Sequence, residues 1–353
     1  MSKLTFDPRN IKEADFPAEA ETSEKLKFLL NYAILAPSSH NTQPWYFKIA
    51  DDAIKLYQDK TRALAIADPD YRELIISCGA ALFNLRIAIR HFGYADIVDI
   101  LPDGNNSNLL ARIHLGSKRV VKLEENFLFR AIAKRGTNRQ DFDDCQLPDS
   151  LVLELESATR SEGSWRQIMT QVIPQTSREA LIRLIAEGDR LQMADPRFRE
   201  ELAQWIHSNN NPSHDGIPVH AQGINQNLDA IAPLISWAIR SFDLGESQSA
   251  KDCQLASQAP VLMLISSEND CPHAWIETGE ALAHLLLRAR IDNVWASFFN
   301  QPIQIPHLRS RLQRLFPNHG YPQILIRLGY ATDTKPTPRR SVDEVLDSVR
   351  SRK

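Results

Sequence analysis

Glycine is scarce in this chain, 13 of 353 residues, against a usual share of about 7%. Neither GxGxxG nor GxxxxGK[ST] occurs, so an ordinary Rossmann or P-loop nucleotide site is excluded. GxSxG is missing as well, which sets aside the nucleophile elbow of α/β-hydrolases. The four cysteines, Cys78, Cys145, Cys253 and Cys271, are scattered and form no CxxC pair. That argues against a disulfide framework or a cysteine metal site, and for reduced thiols in a cytoplasmic protein. Positive charge is not in excess: 41 Lys and Arg against 44 Asp and Glu leave a net charge of −3. A nucleic-acid partner would call for the opposite balance. No stretch reaches the roughly 18 apolar residues of a membrane helix. The first 24 residues are polar and acidic, without the apolar core of a secretory leader.

What is present describes a large globular chain. The hydrophobic fraction is 43% and the charged fraction 24%, ordinary values for a protein that buries its own core. At about 150 residues per domain, the length predicts two domains. Residues 1–24 read as a loose arm. Ser23 then offers an N-cap for an apolar helical stripe through Leu26, Leu29, Leu30 and Ala33, stopped by Pro37. Residues 45–49 and 53–57 read as a hairpin around Asp51-Asp52. A helix over 71–92 ends at Gly93, and strands follow at 97–101 and 109–115. Further on, helices are predicted at 127–133, 147–158, 177–193, 197–207 and 281–289, with strands at 261–265 and 323–328. Residues 208–223 read as a long surface loop, and 342–349 as a short helix.

One internal repeat stands out. Gly79, Ala81, Leu82, Leu85 and Arg90 recur 200 positions later as Gly279, Ala281, Leu282, Leu285 and Arg290. Two buried helices of similar composition would explain this. So would a tandem duplication, with one chain carrying two copies of a domain that elsewhere dimerises.

The most informative segment is Ala36-Pro37-Ser38-Ser39-His40-Asn41-Thr42-Gln43-Pro44-Trp45. Six hydrogen-bonding side chains follow a helix end and precede an aromatic strand. Such groups can converge on a ligand edge, although on local chemistry alone the plainer reading is a capped loop with no ligand. The segment closely resembles the A-P-S-S-x-N-x-Q-P-W motif of the nitroreductase-like flavoproteins. Ala36, Pro37, Ser38, Ser39, Asn41, Gln43, Pro44 and Trp45 all match. The family's second signature, R-R-S-x-R, normally precedes this motif. Here it follows as Arg135-Gly136-Thr137-Asn138-Arg139, with Gly136 departing from the pattern. That order resembles the Acg-type branch, in which two nitroreductase folds are fused in one chain and one flavin site remains.

The resemblance implies an α+β, tandem nitroreductase-like fold: an N-terminal arm at 1–24, a first half at 25–120, and a second half at 121–353. An insertion at 187–245 would serve as a possible lid. It implies a pseudo-dimer in one chain that binds FMN between its halves and takes electrons from NAD(P)H. The partner would be a small-molecule acceptor, a nitroaromatic, a quinone or similar, with no membrane involved. The alternative is a storage protein of the same fold with a closed site and little turnover. Carried over residue by residue, Pro37, Ser38 and Ser39 would line the flavin, and Asn41 and Gln43 would hold the loop or touch the ring. Arg135 would bind phosphate with Thr137 nearby, and Arg139 would stabilise the reduced ring. Either Arg339 or Arg340 would reach the phosphate from the tail, a surface position being the alternative for both. No acid or base is demanded, because the flavin carries the chemistry. By position, residues 298–302 would supply backbone to the ring or simply belong to the core. His207, His214 and His220 fall in the long loop, where a lid, a plain excursion and a metal site are all conceivable.

Overall fold

A computed structural model describes residues 7–158, 167–209, 212–222, 232–317 and 319–347. The chain runs α1 (Thr22–Ala33), β1 (Trp45–Ala50), β2 (Ala53–Gln58), α2 (Arg72–His91), β3 (Tyr94–Ile100), β4 (Leu109–Lys118) and α3 (Leu123–Lys134). It continues with α4 (Asp149–Ala158), β5 (Ile168–Val172), α5 (Gln175–Ala194), α6 (Pro196–Gln204), β6 (Ile206–His207) and β7 (Ile217–Pro218). Then come α7 (Ala232–Ser241), α8 (Gly245–Ser257), β8 (Val261–Ser267), α9 (Pro272–Ile291) and β9 (Trp295–Phe298). The chain ends with α10 (Gln301–Gln304), α11 (Pro306–Leu315), β10 (Tyr321–Gly329) and α12 (Val342–Val345). The architecture is α+β.

Both antiparallel sheets follow one path. The first has strand order β1-β2-β4-β3 and the second β5-β8-β10-β9. In each, the strands are placed first-second-fourth-third, and a 20-residue helix joins the second strand to the third. Those helices, α2 and α9, begin at 72 and 272, the spacing of the sequence repeat. The β1–β2 hairpin turns on Asp51 and Asp52, whose φ values of 56° and 54° suit a two-residue turn that matches strand twist.

α2 and α9 pack against each other along the seam between the halves. Gly79 and Gly279 sit at the closest approach. A Cβ at 79 would overlap the carbonyl oxygen of Ile276, and a Cβ at 279 that of Ile76. This reciprocity is the contact pattern of an isologous interface. Polar groups fix the same seam, where Arg86 reaches Glu280 Oε1 at 2.5 Å and Asp96 Oδ2 at 2.6 Å. By length and mean hydropathy (1.3), α2 would pass as a membrane span, which the apolar runs did not suggest. Here its apolar windows are 89% buried inside the protein, as the core of this seam.

One apolar core runs through both halves, and a second lies between β8, β10 and the helices α5, α8 and α11. Two isolated bridges extend the outer edges of the sheets. Leu346 pairs with Phe47 beside β1, and Thr137 pairs with Ala296 beside β9.

Several sequence expectations change. α1 starts at Thr22 after Glu21, and Ser23 is its second residue rather than its cap. The arm is docked where it is described: Phe16 stacks on Phe92 at 4.2 Å, and Arg9 donates to Thr337 O at 2.6 Å. α9 is twice the expected length, because Pro272 at its first turn starts it early and the interior Gly279 does not interrupt it. The helix at 197–207 stops at Gln204, and its last two residues become β6, paired in parallel with β7 from the expected loop. Strands β5 and β9, of five and four residues, had no distinguishing sequence pattern.

Candidate functional site

The loop after α1 holds an unusual backbone. His40, Asn41 and Gln43 all take positive φ, at 50°, 54° and 50°. Non-glycine residues pay about 1 kcal/mol or more for this, so the surroundings must fix them. Ser38 Oγ accepts from the Gln43 amide at 2.9 Å, and Ser39 Oγ donates to Glu73 Oε2 at 2.6 Å. Asn41 Nδ2 donates to Gly216 O at 2.9 Å and Pro338 O at 3.2 Å, while its Oδ1 accepts from Arg339 Nη1 at 2.9 Å. Gln43 Nε2 donates to His214 O at 2.8 Å, and its Oε1 accepts from the Arg340 amide at 2.8 Å. Asn41 and Gln43 therefore tie the loop to the insertion and to the tail. Asn41→Ala should cost about 2 kcal/mol in urea unfolding, because it removes three buried or partly buried hydrogen bonds, to Gly216 O, Pro338 O and Arg339 Nη1. The tail should also become more sensitive to limited proteolysis than in the parent protein.

Beside this loop lies a cavity of about 600 Å³. Pro37, Ser38, Ser39, Thr137 and Arg139 line it, so the structure brings these five sequence candidates together. Ser297 to Gln301 form the facing wall, and Phe198, Leu202, Ile235 and Ile239 come from the insertion. Glu73 joins the walls: besides Ser39 it accepts from Asn300 Nδ2 at 3.3 Å and Gln304 Nε2 at 3.0 Å. His40 reaches the cavity with Nδ1 unpartnered. Burial, then the charge of Arg139, pushes it down to about 4, so it is neutral at physiological pH. Arg139 donates to Ala221 O at 3.2 Å, and burial lowers its pKa.

The remaining arginines lie outside the lining. Arg135 is 6% exposed, donates Nη2 to Leu35 O at 3.1 Å, and leaves Nε unpartnered. Burial, then Arg9, pushes it down to about 10. Arg339 Nη2 donates to Ala36 O at 3.3 Å, and its Nε is unpartnered too. Burial and the charges of Arg135 and Arg9 hold its pKa well below the usual value. Arg9, the third cation, pairs with Asp7 at 3.0 Å. Arg135 and Arg339 form no ion pair with a carboxylate among the described residues. Arg135 bonds Leu35 O and Arg339 bonds Ala36 O, directly before Pro37 of the cavity wall, while Arg339 Nη1 also donates to Asn41 Oδ1, Thr337 Oγ1 and Pro338 O. Arg340 goes elsewhere, to Gln43 O at 3.2 Å and Glu344 O at 2.7 Å.

Two acidic cavity residues have no counterpart in the sequence reading. Asp189 on α5 and Asp252 on α8 converge on Gln301, whose Nε2 donates to Asp189 Oδ1 at 2.9 Å and Asp252 Oδ2 at 2.7 Å. Gly188 allows the approach, since a Cβ there would stand 2.8 Å from the Cβ of Gln301. Of the loop histidines, His214 Nδ1 meets Glu344 Oε2 at 2.9 Å and His220 Nδ1 meets Asn209 Oδ1 at 2.7 Å.

Residues 5–71 match the family described as "Putative TM nitroreductase". A Mycobacterium tuberculosis protein named putative NAD(P)H nitroreductase acg is 26% identical over 337 residues, covering 94% of this chain and 97% of its own. Over nearly its whole length the chain is thus similar to proteins named as nitroreductases of the Acg type. A second Mycobacterium tuberculosis protein, also named a putative NAD(P)H nitroreductase, is 27% identical over 332 residues, 92% of each chain. Probable NAD(P)H nitroreductase PigM of Serratia is 23% identical, over 92% of this chain and 94% of its own. Among solved structures, the FMN-dependent nitroreductase NfnB from Mycobacterium smegmatis in complex with NADPH is 13% identical. It covers 65% of this chain and 99% of its own, with a TM-score of 0.41.

Proposed function

We propose that the chain is an FMN-binding oxidoreductase that takes electrons from NAD(P)H and passes them to a small acceptor, a quinone or nitroaromatic. The observation that carries this reading is the pair Arg135 and Arg339, two buried guanidiniums with unpartnered Nε atoms and, among the described residues, no ion pair to a carboxylate, Asp7 acting on Arg339 only as a more distant charge. Buried charges are ordinarily paired, and a phosphate is the anion whose geometry two guanidiniums match. The cavity is of a size suited to a cofactor. In this assignment Pro37, Ser38 and Ser39 flank the flavin, Thr137 and Arg139 face it from the other wall, and Arg135 and Arg339 hold its phosphate. Arg340 is assigned to anchoring the tail. When bound, the flavin supplies two-electron transfer between nicotinamide and acceptor. The chain's residues position it, and Arg139 places a cation where negative charge develops on reduction.

We further infer a tandem duplication, with halves at 25–120 and 121–353 forming one pseudo-dimer. Its support is the shared strand path and the reciprocal Gly79–Gly279 seam. The insertion side chains on the cavity wall favour a second reading, flavin storage under a lid. A visible spectrum before and after anaerobic NADPH separates these readings. Flavin bands that bleach, and return on adding a quinone, are the expected result. Bands that persist favour storage. Bands missing even after incubation with FMN remove the flavin assignment.

A further inference from the structure

We propose that Asp189 and Asp252 share one proton and deliver it to the oxygen of the electron acceptor bound in the cavity. The inference rests on the oxidoreductase reading above and adds a protein proton donor to it.

The geometry is specific. Both carboxyls line the cavity, on separate helices, and Gln301 bridges them. Asp189 is 3% exposed, and its Oδ2 has no donor. Asp252 is its neighbour across the single Gln301 amide nitrogen, to which both carboxyls bind. Two buried carboxylates so placed disfavour the doubly ionised state, so at neutral pH one proton is held by the pair. Burial and then Asp252 push Asp189 up to about 8, and burial raises Asp252 as well. The other charged or titratable groups facing the pair are Arg190, Lys251, Cys253, Arg139 and Arg327. Four of these five are cations. A neutral carboxyl among cations suits a ligand oxygen that gains negative charge, and suits a cationic ligand poorly.

The balance is simple for a quinone. Oxidation of NAD(P)H releases a hydride equivalent, which is two electrons and one proton. A quinone needs one proton more to become a hydroquinone. The O–H bond of the Asp pair breaks, a new O–H bond forms on the quinone oxygen, and the pair stays doubly ionised until water returns a proton.

The test follows reoxidation of the NADPH-reduced protein by a benzoquinone, with ferricyanide as an acceptor that takes electrons and no proton. The spectrum recorded first shows whether flavin is bound. Its loss overturns the preceding assignment and this one with it, whereas the outcomes below concern the pair alone. The quinone rate should fall as pH rises through about 8, where Asp189 loses its proton. In Asp189→Asn the ratio of quinone to ferricyanide rates should drop about 100-fold, and the pH dependence should vanish. Asp189→Glu should restore it. Asp252→Asn should move the profile to lower pH, because the like charge that raises Asp189 is gone. Infrared titration of the flavin-free protein gives a separate readout, a protonated-carboxyl band that Asp189→Asn removes. An unchanged rate ratio in both Asn variants, or a quinone rate flat through that pH in the parent protein, overturns the proposal.

Discussion

Gly279→Ala should destabilise the protein by about 3 kcal/mol, measured as a shift of the urea midpoint at constant slope. The sign is opposite to the ordinary one. An alanine in a helix interior is usually better than glycine by about 1 kcal/mol, and α9 is a regular helix at this position. The methyl group, however, would overlap the carbonyl oxygen of Ile76 and stand 2.8 Å from both the Ala80 amide nitrogen and the Gly79 Cα. All three are backbone atoms, so no side chain can rotate aside. Relief requires α2 and α9 to separate along a seam that runs through the main core. Gly79→Ala should behave alike, because its methyl would meet Ile276 O and the Gly279 Cα. The double variant should cost less than the sum, since one displacement accommodates both methyls. Gly104→Ala is the control: nothing lies within 4 Å of its added Cβ, and the effect should stay within about 0.5 kcal/mol. A Gly279→Ala protein as stable as the parent would mean that the halves do not meet this closely.

The same seam explains what the sequence disclosed and what it hid. α2 was legible from its apolar periodicity, whereas the matched Gly79 and Gly279 pointed only to a duplication or to two similar buried helices, and their close crossing is seen in the fold. The 36–45 segment was legible as a motif, and its polar side chains do face several partners. Which partners they face was not legible: Asn41 and Gln43 meet residues more than 170 positions away. The undecided pair Arg339 and Arg340 separates for a comparable reason. Consecutive side chains on an extended tail point to opposite sides, so one meets Arg135 while its neighbour turns to Gln43 and Glu344. Asp189 and Asp252 left no signal at all. Each is a lone carboxylate on an otherwise ordinary amphipathic helix, and only the α5–α8 packing brings them together. Gly188 was the one mark beside them, a helix-interior glycine with a packing reason. Arg9 was hidden by the polar composition of the arm.

Arg135→Met separates cofactor binding from folding by moving the two in opposite directions. In the flavin-free protein Arg135 is a buried cation near Arg339 and Arg9, with a hydrogen bond to Leu35 O. Removing that charge relieves desolvation and like-charge repulsion, and methionine fills a similar length. The flavin-free variant should therefore unfold at the same or a higher urea concentration than the parent. Its FMN affinity should fall, because a charge-assisted hydrogen bond to phosphate contributes about 1.5–3 kcal/mol, roughly 10- to 100-fold in Kd. Arg339→Met should lose affinity similarly. It should also cost some stability, because Arg339 additionally bonds Asn41 Oδ1 and Thr337 Oγ1. With both replaced, the loss should reach about 100-fold or more, read by fluorescence titration of the apoprotein with FMN, and riboflavin, which lacks the phosphate, should bind parent and variant nearly equally. Equal FMN affinity in parent and double variant would move the phosphate away from these arginines. A large loss of stability in flavin-free Arg135→Met would make Arg135 a structural cation instead, since a charge awaiting an anion should be dispensable until that anion arrives.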